Sequence, residues 1–177
     1  MRKVLVTGGV RSGKSVYAES LLADATAVTY ITPGYPADPA ADPEWAARVH
    51  SHQKRRPTHW RTVETVDLAA ALAAADSPVL IDCIGTWLTR SIDAWGTWEQ
   101  PFDDWRHLFD DALLNLVEAW RRHPHTVVAV TNEVGWGLVS QYPSGRLFAD
   151  LMGRTNQRLG TACDDVVLMV AGRPLHL

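Results

Sequence analysis

Cysteine is scarce in this chain. Cys83 and Cys163 are the only two in 177 residues, they form no C-x-x-C, and they cannot make the disulfide framework of a small secreted domain. A reducing, cytoplasmic setting is the expectation. A cationic excess is also missing: 17 Lys and Arg stand against 20 Asp and Glu, a formal charge of −3. Proteins whose main partner is nucleic acid usually carry basic excess, so nucleic acid is not expected as the partner. No apolar run approaches the roughly 20 residues of a membrane span. The opening MRKVLVTGG reaches Gly8 and Gly9 too soon to hold a signal-peptide core. No internal repeat or low-complexity linker divides the chain. One domain over residues 1–177 is expected, large enough to bury a real core.

What is present is a regular alternation. Lys3–Thr7, Ala27–Thr32, Pro78–Ile84, Thr126–Thr131 and Asp165–Ala171 are apolar and β-branched. They are nearly continuous in hydrophobicity, as strands covered on both faces are. Helical patterns fill Lys14–Leu22, Pro43–Lys54, Leu68–Ala75, Asp103–Arg122 and Arg146–Thr161. Strands alternating with helices predict an α/β fold of three layers, helices on both sides of a mostly parallel sheet. The Pro-, Ala- and Asp-rich segment Pro33–Pro43 reads as a loop within that domain.

The first strand runs directly into GGVRSGKS, Gly8 to Ser15, and then into a helix. This is G-x-x-x-x-G-K-[ST] in its required strand–loop–helix setting, so the fold is expected to be of the P-loop NTPase type. The glycines let successive N–H groups converge on one anion at a positive helix end. Gly8, Gly9, Val10, Arg11, Ser12, Gly13, Lys14 and Ser15 are therefore expected to bind nucleotide. Lys14 supplies a mobile charge for the β- and γ-phosphates, and the Ser15 hydroxyl a ligand for Mg²⁺. Asp82, after the apolar PVLI, and Glu133, in VVAVTNEVG, both stand at strand ends, where open α/β sheets gather ligand contacts. Asp82 is the stronger metal-side acid; its bland alternative is to cap the next turn. A guanine-specifying N-K-x-D is absent, which disfavours a regulatory GTPase.

A second segment is harder to place. HSHQKRRPTHW, His50 to Trp60, holds three histidines and three cations. Asp42-Pro43-Glu44 is a good helix start, and Pro57 ends the helix. Arg48 and His52 are then neighbours four apart, whereas His50 projects about 200° from His52. Zinc would want further ligands at spacing the chain lacks. A nucleic-acid patch of Arg48, Lys54, Arg55, Arg56 and Arg61 meets an acidic remainder. Local sequence leaves open a solvated basic helix end or a histidine nucleophile among phosphate-binding cations.

Six motifs in order bear on that choice: GGVRSGKS, RVHSHQKRRPTHWRTVE, VLIDCIGTWLT, VTNEVGWGLV, GRTNQRL and VVLMVAGRPL. Together they resemble the bifunctional adenosylcobinamide kinase / adenosylcobinamide-phosphate guanylyltransferases, over nearly the whole chain. The resemblance implies phosphorylation of the aminopropanol hydroxyl of adenosylcobinamide from ATP or GTP. It then implies transfer of GMP from GTP to that phosphate through a guanylylated histidine. By motif that histidine is His52, not His50 or His59. It further implies nucleotide contacts at Thr32, Pro33 and Gly34, at Gln53, Lys54, Arg55 and Arg56, and at the acids Glu64 and Asp82. Mg²⁺, held by Ser15 and Asp82, accompanies the nucleotide, and the family is homo-oligomeric, typically trimeric.

Three positions depart from the family's pattern. Thr32-Pro33-Gly34 stands where Ala-Thr-Ser is usual, Arg90 where W-L-T-N has Asn, and Ser140 where a proline follows NEVG-x-G-x-V. Eight tryptophans are many for this length, and Trp87, Trp95, Trp98 and Trp105 crowd one segment. That segment reads as an irregular loop, with either ordinary packing or a role at a subunit interface or the corrinoid.

Overall fold

The computed structural model describes residues 1–177, except for the side chain of Arg48. The expected pairing of Arg48 with His52 thus lies outside the described residues. The elements in chain order are β1 (Lys3–Gly8), α1 (Lys14–Ser20), β2 (Thr29–Thr32), α2 (Pro43–Arg55), β3 (Arg61–Glu64), α3 (Leu68–Ala74) and β4 (Val79–Asp82). There follow α4 (Ile84–Trp95), α5 (Phe102–Arg122), β5 (Val127–Val130), α6 (Pro143–Gly160), β6 (Asp165–Val170) and β7 (Arg173–His176). One 7-stranded sheet has the order β3-β2-β4-β5-β1-β6-β7, parallel throughout except for the antiparallel β6–β7 hairpin.

The core forms because the strands are apolar on both faces. Leu5, Ile81, Val127 and Ala129 pack on one side against α3, α4, α5 and α6. Val4, Val6, Leu80, Val128 and Val130 pack on the other with Ala18 of α1, Tyr30 and Trp60. The expected three-layer α/β/α architecture is therefore present. Among the described residues α2 contributes to neither cluster; it lies instead at the carboxyl edge of the sheet. Among the described residues no helix is long and apolar enough to cross a membrane.

Four elements differ from the sequence reading. The tryptophan segment is not an irregular loop: it holds helix α4, ended by Gly96 in the left-handed conformation at φ 66. Trp87 and Trp105 are buried in the core, and Trp95 and Trp98 pack against it. The rings of Trp95 and Trp105 lie 5.9 Å apart, and Phe102 meets Trp105 edge-on at 4.9 Å. This is ordinary packing, and truncating such a ring typically costs about 3–5 kcal/mol. Strand β4 consequently stops at Asp82 rather than Ile84, because Ile84 opens α4. Strands β3 and β7 are short edge additions; every residue of β7 is exposed.

His123 closes α5 and braces α3. The residue is 5% exposed, with Nδ1 3.0 Å from the Leu72 carbonyl and Nε2 3.1 Å from the Ser77 carbonyl. Burial pushes its pKa below the ordinary imidazole value, helped by Lys3 and His125, against the weaker upward pull of the two carbonyls. The unfolded chain therefore binds this proton more readily than the folded one. The contribution to stability is complete above the unfolded pKa of about 6.5 and is lost as pH falls through the lower folded value. Thermal unfolding followed between pH 7.5 and 5 should show Tm falling on the acid side of about 6.5. His123→Gln, which cannot charge, should lose this component of the fall; an equal fall in the variant would contradict it.

Candidate active site

The phosphate loop is fixed by contacts behind it. Gly8 adopts φ 144, and a Cβ there would stand 2.5 Å from the Met169 carbonyl oxygen, so only glycine fits. The Gly172 N–H of the β6–β7 turn donates to Ser12 O at 3.0 Å and buttresses the loop from outside. The Lys14 ammonium donates to Gly9 O at 2.6 Å. Burial lowers its pKa, while the neighbouring Cys83 and Asp82 pull it back up. Glu133 belongs to the same framework. Its carboxylate accepts from Thr7 Oγ1 at 3.0 Å and Asn156 Nδ2 at 3.2 Å behind the loop, and it does not line the cleft in front.

Asp82 ends β4. It is in register with Val130 of β5, which is in register with Val6 of β1, so β4 and the phosphate loop leave the same edge of the sheet with β5 between them. The Asp82 carboxylate accepts from Tyr30 OH at 3.0 Å, has the Ser15 hydroxyl nearby, and faces His52 Nδ1 across 3.4 Å. Burial alone would raise its pKa. His52, Ser15 and Tyr30 together outweigh burial and hold it below the usual carboxylate range. Tyr30, whose pKa burial and Asp82 push upward, stays a protonated donor. Cys83 lines the cleft too, but burial and Asp82 raise its thiol pKa, which keeps it a poor nucleophile.

Helix α2 brings His52 to this carboxylate. Asp42 caps it by accepting from Trp45 N at 2.9 Å, with Pro43 at its first position, as the sequence predicts. Contacts at both ends hold it over the cleft. Trp45 Nε1 donates to Tyr35 O at 2.9 Å, and the Trp45 ring lies so close to Gly34 that a Cβ there would be 2.8 Å from it. At the other end Arg55 reaches Glu19 of α1 at 3.2 and 3.4 Å. Arg56 stacks 3.7 Å over the Tyr30 ring and donates to Thr62 Oγ1 at 3.2 Å.

His52 Nδ1 stands between an acceptor and a donor, 3.4 Å from the Asp82 carboxylate and 3.5 Å from Arg55 Nη2. The ring form that carries its proton on Nδ1 pairs with the acceptor-only carboxylate and leaves the Nε2 lone pair free. A nucleophile oriented by an acid is an arrangement suited to covalent catalysis.

One cleft of ≈ 500 Å³ gathers most of the expected residues: Val10 to Ser15, Thr32, Gly34, His52, Gln53, Arg55, Arg56, Glu64 and Asp82. Gly8 and Gly9 shape the loop without lining it, and Pro33 and Lys54 also fall outside the lining. His50 and His59 are exposed and away from it. Two buried polar atoms of this wall, Ser12 Oγ and Arg56 Nε, have no hydrogen-bond partner among the described residues, which suits a ligand rich in acceptors. Sequence reasoning missed Tyr30, Tyr35, Trp45 and Asn132. Tyr30 reads as core within AVTYIT, and nothing local marks Trp45 as more than a helix-start aromatic.

With that geometry in place, the comparisons with known proteins decide the relationship. The sequence model of the cobinamide kinase / cobinamide phosphate guanyltransferase family matches residues 4–177. The chain belongs to that family. It is 43% identical over 178 aligned positions to the bifunctional adenosylcobalamin biosynthesis protein CobU of Salmonella typhimurium, covering 96% of each chain. It is 36% identical to the bifunctional adenosylcobalamin biosynthesis protein CobP of Pseudomonas aeruginosa, over 98% of this chain and 95% of that one. Among solved structures, the type III secretion ATPase EscN of enteropathogenic E. coli superposes with a TM-score of 0.56 at 11% identity. That match covers 96% of this chain and 43% of EscN, and it speaks for the P-loop ATPase fold alone.

Two departures of this cobinamide kinase / guanyltransferase family member from the expected pattern prove to be one feature. Arg90 Nη1 donates to Pro33 O at 3.1 Å and Gly34 O at 2.9 Å, and its guanidinium lies 4.8 Å from the Tyr35 ring centre. Tyr35 OH in turn donates to Asp93 at 2.6 Å. Arg90 thus pins the loop that carries Thr32 to Gly34 onto α4. Arg90→Ala should destabilise the fold by about 1–3 kcal/mol in chemical denaturation and raise KM for GTP severalfold. Arg90→Lys should recover only part, since an ammonium cannot both fork and stack; an unchanged KM in Arg90→Ala would count against the assignment.

Proposed function

We propose that this chain phosphorylates the arm hydroxyl of cobinamide from ATP or GTP, and then moves GMP from GTP onto that phosphate through His52. The observation that carries this reading is the His52 imidazole held by Asp82 over the phosphate loop, at 3.4 Å. Family membership supports both activities.

For the first step, the loop N–H groups and Lys14 bind the phosphates and stabilise charge on the transferring γ-phosphoryl. Asp82, kept ionised, is placed to orient the acceptor hydroxyl. For the second, His52 Nε2 attacks the α-phosphorus of GTP. The Pα–O–Pβ bond breaks, pyrophosphate leaves, and a phosphoramidate remains, its imidazolium charge facing Asp82. A phosphate oxygen of the acceptor then attacks Pα, the N–P bond breaks, and the electron pair returns to Nε2. Arg55, the last residue of α2, and Arg56, its C-cap, are the cations for the departing charge.

Mg²⁺ fits the donor set, since the Ser15 hydroxyl and Asp82 carboxylate are adjacent hard oxygens of the kind that share this ion with phosphates and water. Those two residues would hold it, and when bound it would neutralise phosphate charge. A homo-oligomeric state completes the reading, supported by the exposed apolar side chains of Trp136, Leu138 and Val139.

Incubation with Mg²⁺ and GTP labelled at the α-phosphate should leave label on the denatured protein, stable to base and lost in acid. His52→Ala should take up less than about one thousandth of it. Label persisting in His52→Ala would reject the nucleophile. Cobinamide-dependent release of ADP or GDP with no label at all would leave a kinase only.

A further inference from the structure

A second cavity, of ≈ 740 Å³, opens beside the triphosphate cleft and is lined by different chemistry. Tyr35, Trp45 and Phe148 supply rings, and Thr86, Thr89 and Asn132 supply polar handles. Tyr35, Trp45, Thr86 and Asn132 line both spaces, so the two are continuous at the end of β4, beside Asp82.

We infer that this cavity receives one edge of the cobinamide acceptor, with its hydroxyl or phosphate arm passing Thr86 and Asn132 to reach Asp82 and His52. The inference rests on the activity proposed above and adds where the acceptor sits.

Charge separates the two sites. Arg11, Lys14, Arg55 and Arg56 line the first cleft, whereas among the described residues no Lys or Arg lines the second, and Asp38 and Asp42 do. A second polyphosphate is therefore disfavoured there. A corrinoid suits it: the macrocycle carries no carboxylates, is edged with methyl groups and carboxamides, and offers flat apolar surface to rings. The cavity is of the usual ligand-pocket scale of about 300–1,000 Å³, too small to enclose a corrinoid whole, so the ring's far side stays in solvent.

The handles match carboxamides. Among the described residues the Asn132 side-chain amide makes no hydrogen bond; only its backbone carbonyl is used, by Asn156. It can both donate to and accept from an amide arm. Thr89 Oγ1 donates to Gly85 O at 3.2 Å, which leaves its lone pairs for a ligand N–H. Asp38 and Asp42 spend carboxylate oxygens on backbone N–H groups of their own turns, so they set the sign of the rim without blocking it.

Thr89 and Ala41 line this cavity and not the triphosphate cleft, which makes a clean test. Thr89→Phe fills the cavity from α4; Ala41→Trp fills it from an exposed turn, where bulk does not threaten folding. The full chain is assayed for ATP-dependent phosphorylation of dicyanocobinamide and, separately, for covalent labelling by GTP without cobinamide. Both variants should raise KM for dicyanocobinamide about tenfold or more, with labelling of His52 at the wild-type level. Wild-type KM in both variants, with labelling intact, would overturn the cavity assignment and leave the proposed function standing. Absence of labelling in the wild-type chain, with KM still raised in the variants, would do the reverse.

Discussion

A buried carboxylate needs partners, and the Asp82 carboxylate finds them on three separate elements. Ser15 comes from the phosphate loop, Tyr30 from β2 and His52 from α2. Burial works against its charge, and the three neighbours win. An ionised group so placed would be costly if left alone, so the folded state gains by drawing all three toward one point. The site's geometry follows from that requirement. Tyr30 fixes the carboxylate from the floor, the phosphate loop faces it from β1, and α2 is drawn across the cleft although none of its described residues has a share in either apolar core.

The rest of the carboxyl edge is divided by charge and shape. Cations crowd the cleft beside the loop, while the adjoining cavity is aromatic and rimmed by Asp38 and Asp42. Arg90 stands outside this division and acts on the backbone, tying the loop Pro33–Gly34 to α4. Tyr35 and Trp45 wall both spaces. The same two residues are joined to each other through the Trp45 indole and the Tyr35 carbonyl, so the wall between donor and acceptor sites is also the anchor of the helix carrying His52.

Much of this was legible in the chain because it is local. GGVRSGKS specifies its own backbone, and Asp42-Pro43 specifies the start of α2. Helix α4 was legible in principle: Ile84, Trp87, Leu88, Ser91 and Ile92 fall on one helical face and are all buried. The apolar run VLIDCI masked it by lending Ile84 to the preceding strand. Strand β3 offers only Val63 as a half-buried residue and β7 none, so neither has a burial pattern to read. His52 could be singled out from its two neighbouring histidines only through resemblance to a family, since the partner that distinguishes it, Asp82, is remote in sequence. Arg90 and Pro33–Gly34 looked like unrelated departures, and only the folded chain shows them in contact.

The central claim is that one triphosphate site, organised by Asp82, serves attack at both the γ- and the α-phosphorus. A GTP analogue with methylene in place of the β,γ-bridging oxygen tests this directly, because its γ-phosphoryl cannot be transferred while its α–β bond remains cleavable. Titrating it against the purified chain with ATP and cobinamide, the account predicts loss of kinase activity and gain of covalent GMP on His52 over the same concentration range. Full labelling of His52 with phosphorylation of cobinamide undiminished would contradict it.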